Sequence, residues 1–258
     1  MAIEIFSRRE QKYLITTTQY ESLKEKLKHH MRNDQNGENG RYTVSSLYFD
    51  NAERDIYFET KNKLKYRQKL RLRVYGQIDP NGIAFFEVKQ KHKNVVHKRR
   101  LTMPLSEAYR YLETDAYGAL DEYDTSNPQV LREIDYFRRF YRLEPAMVVA
   151  YDRHAMHGLD DSNLRITFDF NLRCRKDELQ LEKGPYGEHF IDPDLVIMEV
   201  KVDHSVPLWL VRILQELDCE QRSASKFCTS TELLSKGEFK KTDVEQTTLG
   251  GYSNGYDQ

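Results

Sequence analysis

Two arginines, Arg71 and Arg73, lie two positions apart in a segment where apolar residues fill the alternate positions. Side chains two apart on a β-strand share a face, so both guanidinium groups should project together while Leu72 and Val74 project to the other side. A guanidinium group presents a planar set of donors suited to bidentate contacts with phosphate. The pair by itself favours an exposed strand whose arginines pair with acids, and a phosphate-binding strand is the alternative that a recurrence of the pattern would support.

The same alternation of charged and apolar residues recurs along the chain. Glu87 and Lys89 follow the arginine strand, and Glu199 and Lys201 repeat the pattern near the C-terminus. Two further motifs share it: Tyr151-x-Arg153 and Arg165-x-Thr167-x-Asp169. On an exposed sheet such pairs would be weak salt bridges, whereas in a closed polar interior they would be costly unless compensated. Their repetition favours several strands that turn one charged face toward a common lumen, which suits a polyphosphate and its metal.

Basic residues also gather in two other places. The run 97–100, which includes Lys98, suits either a solvated strand end or a phosphate contact. Near the C-terminus, Arg222, Ser225 and Lys226 come just before or at the start of a predicted helix. Free backbone N–H groups at a helix N-terminus bind anions, and ordinary N-capping is the alternative use of such residues. Both groups are candidate phosphate contacts.

Four carboxylates accompany these cations: Glu10, Glu87, Asp169 and Glu199. They could neutralise excess positive charge, or they could hold a hard divalent ion that bridges phosphate oxygens. The sequence contains no evident nucleophilic triad, Walker lysine loop or glycine-rich cradle before a helix. A phosphate-transferring site without these devices depends on positioning, on metal and on arginine charge.

The elements that must position these residues follow from hydrophobic periodicity. Strands are predicted over residues 3–15, 42–50, 66–75, 83–89, 95–103, 147–156, 164–175 and 195–202. Helices are predicted over 19–30, 52–62, 206–217 and 226–234. The region 105–142 is also predicted to be helical, with start signals at Ser106 and at Asn127-Pro128. About eight strands are enough to close a barrel, and we predict a closed barrel with a polar interior.

Length and composition restrict the possible classes of protein. The 258 residues suit one domain over residues 1–236, followed by a polar, glycine-rich tail over 237–258 that we expect to be disordered. A net charge of −1 argues against nucleic acid or an anionic membrane as partner. Three cysteines without a CxxC pair argue against a structural zinc and a disulfide framework. No membrane-length apolar segment or signal-peptide layout is present, which predicts a soluble, cytoplasmic protein.

The motifs also form an ordered series along nearly the whole chain. They are Arg8-x-Glu10-x-Lys12-Tyr13-Leu14, Tyr48-Phe49-Asp50, Arg71-x-Arg73-x-Tyr75-Gly76, Glu87-x-Lys89, Tyr151-x-Arg153, Arg165-x-Thr167-x-Asp169, Glu199-x-Lys201 and Ser225-Lys226-Phe227. This series resembles the vacuolar transporter chaperone (VTC) polyphosphate polymerase domain, a member of the CYTH-like triphosphate tunnel metalloenzymes. Each motif is weak by itself, and the order of the series makes the resemblance specific.

The resemblance implies an α+β fold, in which an eight-stranded antiparallel tunnel carries helices on its outside. It implies a polymerase that uses Mn²⁺ or Mg²⁺ to transfer the γ-phosphate of ATP onto inorganic polyphosphate, with pyrophosphate or tripolyphosphate as related ligands. By position, the implied phosphate ligands are Lys12, Arg71, Arg73, Lys89, Arg153, Arg165 and Lys226. The implied substrate site also includes Tyr151, Lys201, Arg222, Ser225, Glu10 and Lys98. Glu199 would hold the metal, with Glu87 and Glu10 as helpers.

The sequence departs from the family pattern at two positions. Arg8 replaces the first Glu of the superfamily's opening motif, which removes one potential metal ligand and reduces support for hydrolysis. Ser223 stands where the eukaryotic domain has a second lysine. The regulatory SPX domain and membrane helices of the eukaryotic proteins are not in the sequence, so we expect any coupling to transport to need a separate membrane-protein partner. The alternatives are a tunnel triphosphatase that hydrolyses tripolyphosphate or nucleoside triphosphates, a non-catalytic polyphosphate-binding module, and an all-β protein with ordinary salt bridges.

Overall fold

Ten strands form one antiparallel sheet in the parts of the chain that the computed structural model describes, residues 9–92, 95–114, 120–222 and 225–235. The strands are β1 (Arg9–Thr16), β2 (Met31–Asn33), β3 (Arg41–Asp50), β4 (Tyr66–Tyr75), β5 (Ile83–His92), β6 (Val95–Pro104), β7 (Glu144–Gly158), β8 (Arg165–Arg175), β9 (Glu188–His189) and β10 (Leu195–Val202). Their order is β1-β10-β8-β7-β3-β4-β5-β6, with β2 paired to β7 and β9 paired to β8. The eight long strands lie where the sequence predicts strands, and the two short ones have no clear sequence pattern.

Helices cover the apolar side of this sheet. Those in the described ranges are α1 (Thr17–Leu27), α2 (Asp55–Lys61), α3 (Leu105–Glu113), α4 (Pro128–Tyr141), α5 (Leu208–Glu216) and α6 (226–235). The region 105–142 contains α3 and α4, and α4 starts at the predicted signal: the Asn127 side chain accepts a hydrogen bond from the Val130 N–H, and Pro128 is the first helical residue. None of the described helices has the length and apolar character needed to span a membrane.

Two apolar cores hold the sheet and its helices together. Leu72 of β4 and Ile134 of α4 are fully buried in one core. Val200 of β10 is buried in the other core with Leu23 of α1 and Leu210 of α5. Burying one such side chain contributes roughly 1.5–3 kcal/mol, so the apolar positions of each alternating strand are fixed on the helix side. The charged positions must then project to the opposite side of the sheet.

The sheet curls, but the structure does not confirm the predicted closed barrel. The carboxylate of Glu10 on β1 lies 3.8 Å from Nζ of Lys89 on β5, although several strands separate them in the sheet order. The two edge strands, β1 and β6, share no hydrogen-bond ladder within the described ranges. Strand twist brings the charged faces toward each other. Ion pairs across this interior, rather than continuous backbone pairing, connect the two ends of the sheet.

Replacing Thr16 by Ala should destabilise the protein by about 1 kcal/mol. Thr16 accepts a hydrogen bond from the Gln19 N–H at 3.1 Å, and the Gln19 side chain accepts one from the Thr16 N–H at 2.8 Å, so the change removes half of a capping box. Urea unfolding measures the loss. The exposed Thr18 provides the control, and a Thr18→Ala variant as unstable as Thr16→Ala would contradict the assignment.

Candidate functional site

The charged strand faces meet in a group of side chains that we call the carboxylate cluster: Glu10, Lys12, Asp169, Glu199, Lys201 and Lys226. Nζ of Lys12 lies 3.0 Å from Oε1 of Glu199 and 3.2 Å from Oε1 of Glu10. Nζ of Lys226 lies 2.6 Å from Oδ2 of Asp169 and 3.2 Å from Oε1 of Glu199. Strands β1, β8 and β10 and helix α6 therefore contribute to one ion-pair network, which is buried at Asp169, Glu199 and Lys226 and partly exposed at Glu10.

Strand register and one aromatic contact explain why these residues meet. Glu199 on β10 lies opposite Lys12 of β1 and opposite Thr167 of β8, so the three side chains share one face. Helix α6 brings in Lys226 because the next residue, Phe227, packs its ring 5.2 Å from that of Tyr48 on β3. The alternation along each strand places Lys12, Thr167 and Glu199 on the charged side of the sheet, whereas the position of Lys226 depends on how α6 packs against β3.

The electrostatics keep the carboxylates of this cluster ionised. Burial would raise the pKa of Glu199, but the charges of Lys226 and Lys12 hold it well below the usual range. Burial also opposes ionisation of Glu10, and its lysine neighbours nevertheless lower its pKa to about 2. Burial lowers the pKa of Lys201 despite the nearby carboxylates. The carboxylates of the cluster are therefore negatively charged at neutral pH, and lysine side chains surround them.

A second group, the Glu87 cluster, surrounds one buried carboxylate with four cations: Arg71, Arg73, Lys98 and Arg100. Oε1 of Glu87 lies 2.5 Å from Nζ of Lys98, and Oε2 lies 2.6 Å from a terminal nitrogen of Arg71. Burial opposes the charge on Glu87, yet the surrounding cations hold its pKa well below the usual range. Burial lowers the pKa of Lys98 to about 8. Glu87 is thus placed to orient cations, and its role as a metal helper stays a prediction.

Tyr151 connects the two clusters. Its hydroxyl accepts hydrogen bonds from Arg73 at 3.2 Å and from Arg153 at 3.4 Å. Arg153 in turn donates two hydrogen bonds to Asp169, at 2.7 and 2.8 Å. Nζ of Lys226 lies 5.0 Å from the centroid of the Tyr151 ring. The predicted ligands on β4, β7 and α6 are therefore parts of one continuous charged surface, which we call the charged face.

Two other predicted ligands occupy the periphery of this face. Arg165 donates hydrogen bonds to Asp34 at 3.0 Å and to the Tyr42 hydroxyl at 3.1 Å, and the same Asp34 oxygen contacts His157 at 3.2 Å. The Lys89 side chain is 47% exposed and approaches the carboxylate cluster through its contact with Glu10. Each is thus held by a carboxylate outside the Glu87 cluster: Arg165 by Asp34 and Lys89 by Glu10.

One predicted ligand is not brought to the charged face. The exposed side chain of Arg222 pairs with Glu220 at 2.7 Å, and only its backbone N–H reaches the first strand, by donating to the Lys12 carbonyl oxygen at 2.9 Å. The Ser225 hydroxyl accepts a hydrogen bond from Nζ of Lys69 at 3.1 Å. Arg8, Ser223 and the predicted tail at 237–258 lie outside the described residues.

Sequence reasoning missed two members of the charged face. Lys69 has the same strand parity as Arg71 and Arg73, and this signal was sufficient to identify it. The Tyr48 hydroxyl accepts a hydrogen bond from Arg71 at 3.2 Å. Burial would raise the pKa of Tyr48, but the nearby guanidinium and lysine charges lower it to about 8. The Tyr48-Phe49-Asp50 motif does not predict this lowered pKa, because the cations that cause it lie on another strand, β4.

The residues present fit a divalent ion that is shared with phosphate. Within the described ranges, no three His, Cys, Asp or Glu side chains are grouped closely enough to form a complete protein site. Magnesium, however, is often held by one or two carboxylates together with substrate phosphates. Glu199 and Glu10 supply ionised carboxylates that contact the same lysine. The buried Thr167 hydroxyl beside them has no hydrogen-bond partner in the described part of the chain, which also suits a polar ligand here.

The sequence profile of the VTC domain matches residues 7–235 of the chain. The chain belongs to the VTC domain family. This confirms the family predicted from the ordered motifs, whose residues supply most of the charged face just described.

Two curated relatives of this VTC-domain chain carry the same name, vacuolar transporter chaperone complex subunit 4. The Schizosaccharomyces pombe (strain 972 / ATCC 24843) protein is 26% identical over 153 residues, which cover 52% of this chain and 21% of the relative. The Trypanosoma cruzi (strain CL Brener) protein is 26% identical over 162 residues, which cover 52% of this chain and 20% of the relative. The match thus spans about a fifth of the length of each relative.

A solved structure, that of the PH1819 protein from Pyrococcus horikoshii OT3, aligns with this VTC domain at a TM-score of 0.45 and 13% sequence identity. The alignment covers 87% of this chain and 98% of the other.

Proposed function

We propose that this VTC domain is a metal-dependent polyphosphate polymerase that transfers the γ-phosphate of ATP to the end of a polyphosphate chain. The observation that carries the proposal is the convergence of Lys12, Arg71, Arg153 and Lys226, from four different elements, on one charged face. A polyphosphate bears negative charge along its whole length, so it matches an extended row of cations better than a compact anion does.

The chemistry proposed for this face requires little covalent participation by the protein. A terminal oxygen of the polyphosphate attacks the γ-phosphorus of ATP, the bond from that phosphorus to the β,γ-bridging oxygen breaks, and ADP leaves with the electron pair. The acceptor oxygen is already ionised, so no general base is needed. Arg71, Arg73 and Arg153 would neutralise the phosphoryl oxygens, while the ion-pair networks hold these guanidinium groups in place before substrate arrives.

Glu199, assisted by Glu10, would hold the divalent ion, for which we propose Mn²⁺ or Mg²⁺. There the ion would supply positive charge that offsets the negative charge of the phosphate oxygens. Lys12 contacts both carboxylates, so it would keep them oriented and would release them as phosphate takes over its charge. The ion pair between Lys226 and Glu199 would hold the Glu199 carboxylate next to the start of α6.

Incubating the purified protein with ATP and Mn²⁺ should produce polyphosphate chains that separate as a ladder on a polyacrylamide gel. Chelation of the metal should abolish the ladder, because the phosphoryl charge would then be only partly neutralised. Release of orthophosphate without a ladder would overturn the polymerase proposal in favour of a tunnel triphosphatase. Polyphosphate binding without turnover under any divalent ion would instead establish a binding module.

We also propose a cytoplasmic location and a separate membrane-protein partner. The two curated relatives are named as subunits of a vacuolar transporter chaperone complex, which supports assembly with other chains. Affinity purification of the tagged chain from its native cells, followed by mass spectrometry of the membrane fraction, would identify such a partner.

A further inference from the structure

Lys69 occupies an unusual position on the charged face. It lies on β4 two residues before Arg71, and the side chain is half-buried. Its Nζ donates a hydrogen bond to the Ser225 hydroxyl at 3.1 Å and lies 5.3 Å from the centroid of the Phe227 ring. Within the described ranges, Lys69 has no carboxylate oxygen within ion-pair distance, in contrast to Lys12 and Arg71. A neutral hydroxyl is its hydrogen-bond partner.

The surroundings of Lys69 make it a cation that lacks a carboxylate counter-ion. Burial lowers its pKa to about 8, and the charges of Lys89 and Lys12 also act to lower it. Tyr48 of β3 and Cys228 of α6 are the facing groups that act in the opposite direction, and Tyr48, whose own pKa is about 8, carries only part of a negative charge near pH 8. An anion arriving here would therefore restore the full charge of the lysine.

This position differs chemically from the carboxylate cluster. At Lys226 an incoming phosphate must compete with Asp169, whose oxygen lies 2.6 Å away. At Lys69 the phosphate would join or replace only a hydroxyl group, and the hydroxyl itself can donate to a phosphate oxygen. Because Ser225 immediately precedes Lys226, an anion that reaches both residues would continue from the carboxylate cluster toward β4.

We propose that Lys69 and Ser225 form an additional phosphate-binding position, which holds a phosphate group of the polyphosphate chain outside the carboxylate cluster. The proposal rests on the proposed function, since it extends the same charged face. It makes Lys69 a substrate-binding residue whose charge is completed by the polyphosphate itself.

Replacing Lys69 by Gln should weaken the binding of inorganic polyphosphate by ~10-fold or more at pH 8, because a charge-assisted hydrogen bond is lost. Isothermal titration calorimetry on the full chain, without ATP, measures this change. Lys69→Arg should keep most of the affinity. The control is Lys26→Gln, which removes one positive charge from α1, where Lys26 pairs with Glu216. Equal affinities for Lys69→Gln and Lys26→Gln would overturn the proposal.

Proton uptake provides a second test that a purely structural role would not affect. Binding should draw a fraction of a proton to Lys69 at pH 8, because a group of pKa about 8 is only partly protonated when free and becomes protonated beside the anion. Tyr48, whose pKa is also about 8, can take up protons as well, but it is present in both proteins. The Lys69→Arg variant is always charged at residue 69, so it should take up fewer protons than the wild type. Titrations in two buffers of different ionisation enthalpy measure the difference, and equal uptake by both proteins would contradict the proposal.

These measurements separate the inference from the function on which it rests. A wild-type protein that does not bind polyphosphate would overturn both. A wild-type protein that binds polyphosphate, but no more tightly than Lys69→Gln, would overturn only the role of Lys69.

Discussion

Glu199→Gln is expected to reduce ATP-dependent polyphosphate synthesis by about 100-fold or more, while polyphosphate affinity stays at or above the wild-type value. Glu199 is the carboxylate shared by Lys12, Lys201 and Lys226, at 3.0, 3.3 and 3.2 Å. The amide removes the negative charge proposed to hold the metal. It also leaves the three lysines with less competition for phosphate, so binding and turnover should change in different directions.

Gel analysis of the products and calorimetric titration with polyphosphate measure these two effects separately. Glu216→Gln is the matched control, because Glu216 forms an ion pair with Lys26 at 2.8 Å but is 60% exposed and lies on α5. Normal synthesis by Glu199→Gln would exclude a role for this carboxylate in the reaction. Loss of both synthesis and polyphosphate binding would show that Glu199 organises the charged face instead of acting in turnover.

Asp169→Asn is expected to destabilise the protein by about 3–5 kcal/mol. Asp169 is fully buried and contacts both Arg153 and Lys226, so the change leaves two buried cations with one negative charge fewer. Polyphosphate can supply the missing charge. It should therefore raise the melting temperature of the variant more than that of the wild type.

Thermal unfolding with and without polyphosphate tests this expectation. Asp152→Asn is the control, because Asp152 pairs with Arg173 at 3.2 Å but is 40% exposed, and its loss should cost no more than about 1 kcal/mol. If Asp169→Asn were no less stable than Asp152→Asn, the proposed importance of the buried pair would be wrong.

The pH dependence of the same variant has a defined sign. Burial opposes the charge on Asp169, but Arg153 and Lys226 hold its folded-state pKa below the usual value. A group with a lowered folded-state pKa stabilises the protein above its unfolded-state pKa, which is about 3.9 for Asp. That contribution is lost as the pH falls through the folded-state pKa. The stability difference between wild type and Asp169→Asn should therefore become smaller below about pH 4.

Much of this fold can be predicted from periodicity, and specific residues show why. Leu70, Leu72 and Val74 are all buried on the helix side of β4, so the intervening arginines had to project to the charged face. The start of α4 at Asn127 and Pro128 was likewise visible in the sequence, because capping depends on neighbouring residues.

The partners of the charged residues could not be predicted in the same way. Arg222 belongs to a basic segment next to Lys226, yet its side chain pairs with Glu220 while Lys226 enters the carboxylate cluster. The four cations around Glu87 likewise come from strands β4 and β6, and the Glu87-x-Lys89 motif does not predict them. Such differences depend on which strands and helices approach one another. Strand parity predicts the face on which a side chain lies, but it contains no information about the distance between that side chain and residues on other elements.

The family, the strands and the face on which each charged side chain lies can be predicted without coordinates, because alternation and ordered motifs are local properties of the chain. The curl of the sheet without a β1–β6 ladder in the described ranges, the four cations around Glu87 and the hydroxyl partner of Lys69 are visible only in the folded molecule. These outcomes depend on contacts between residues far apart in the chain, where a shift of a few ångströms forms or removes an ion pair.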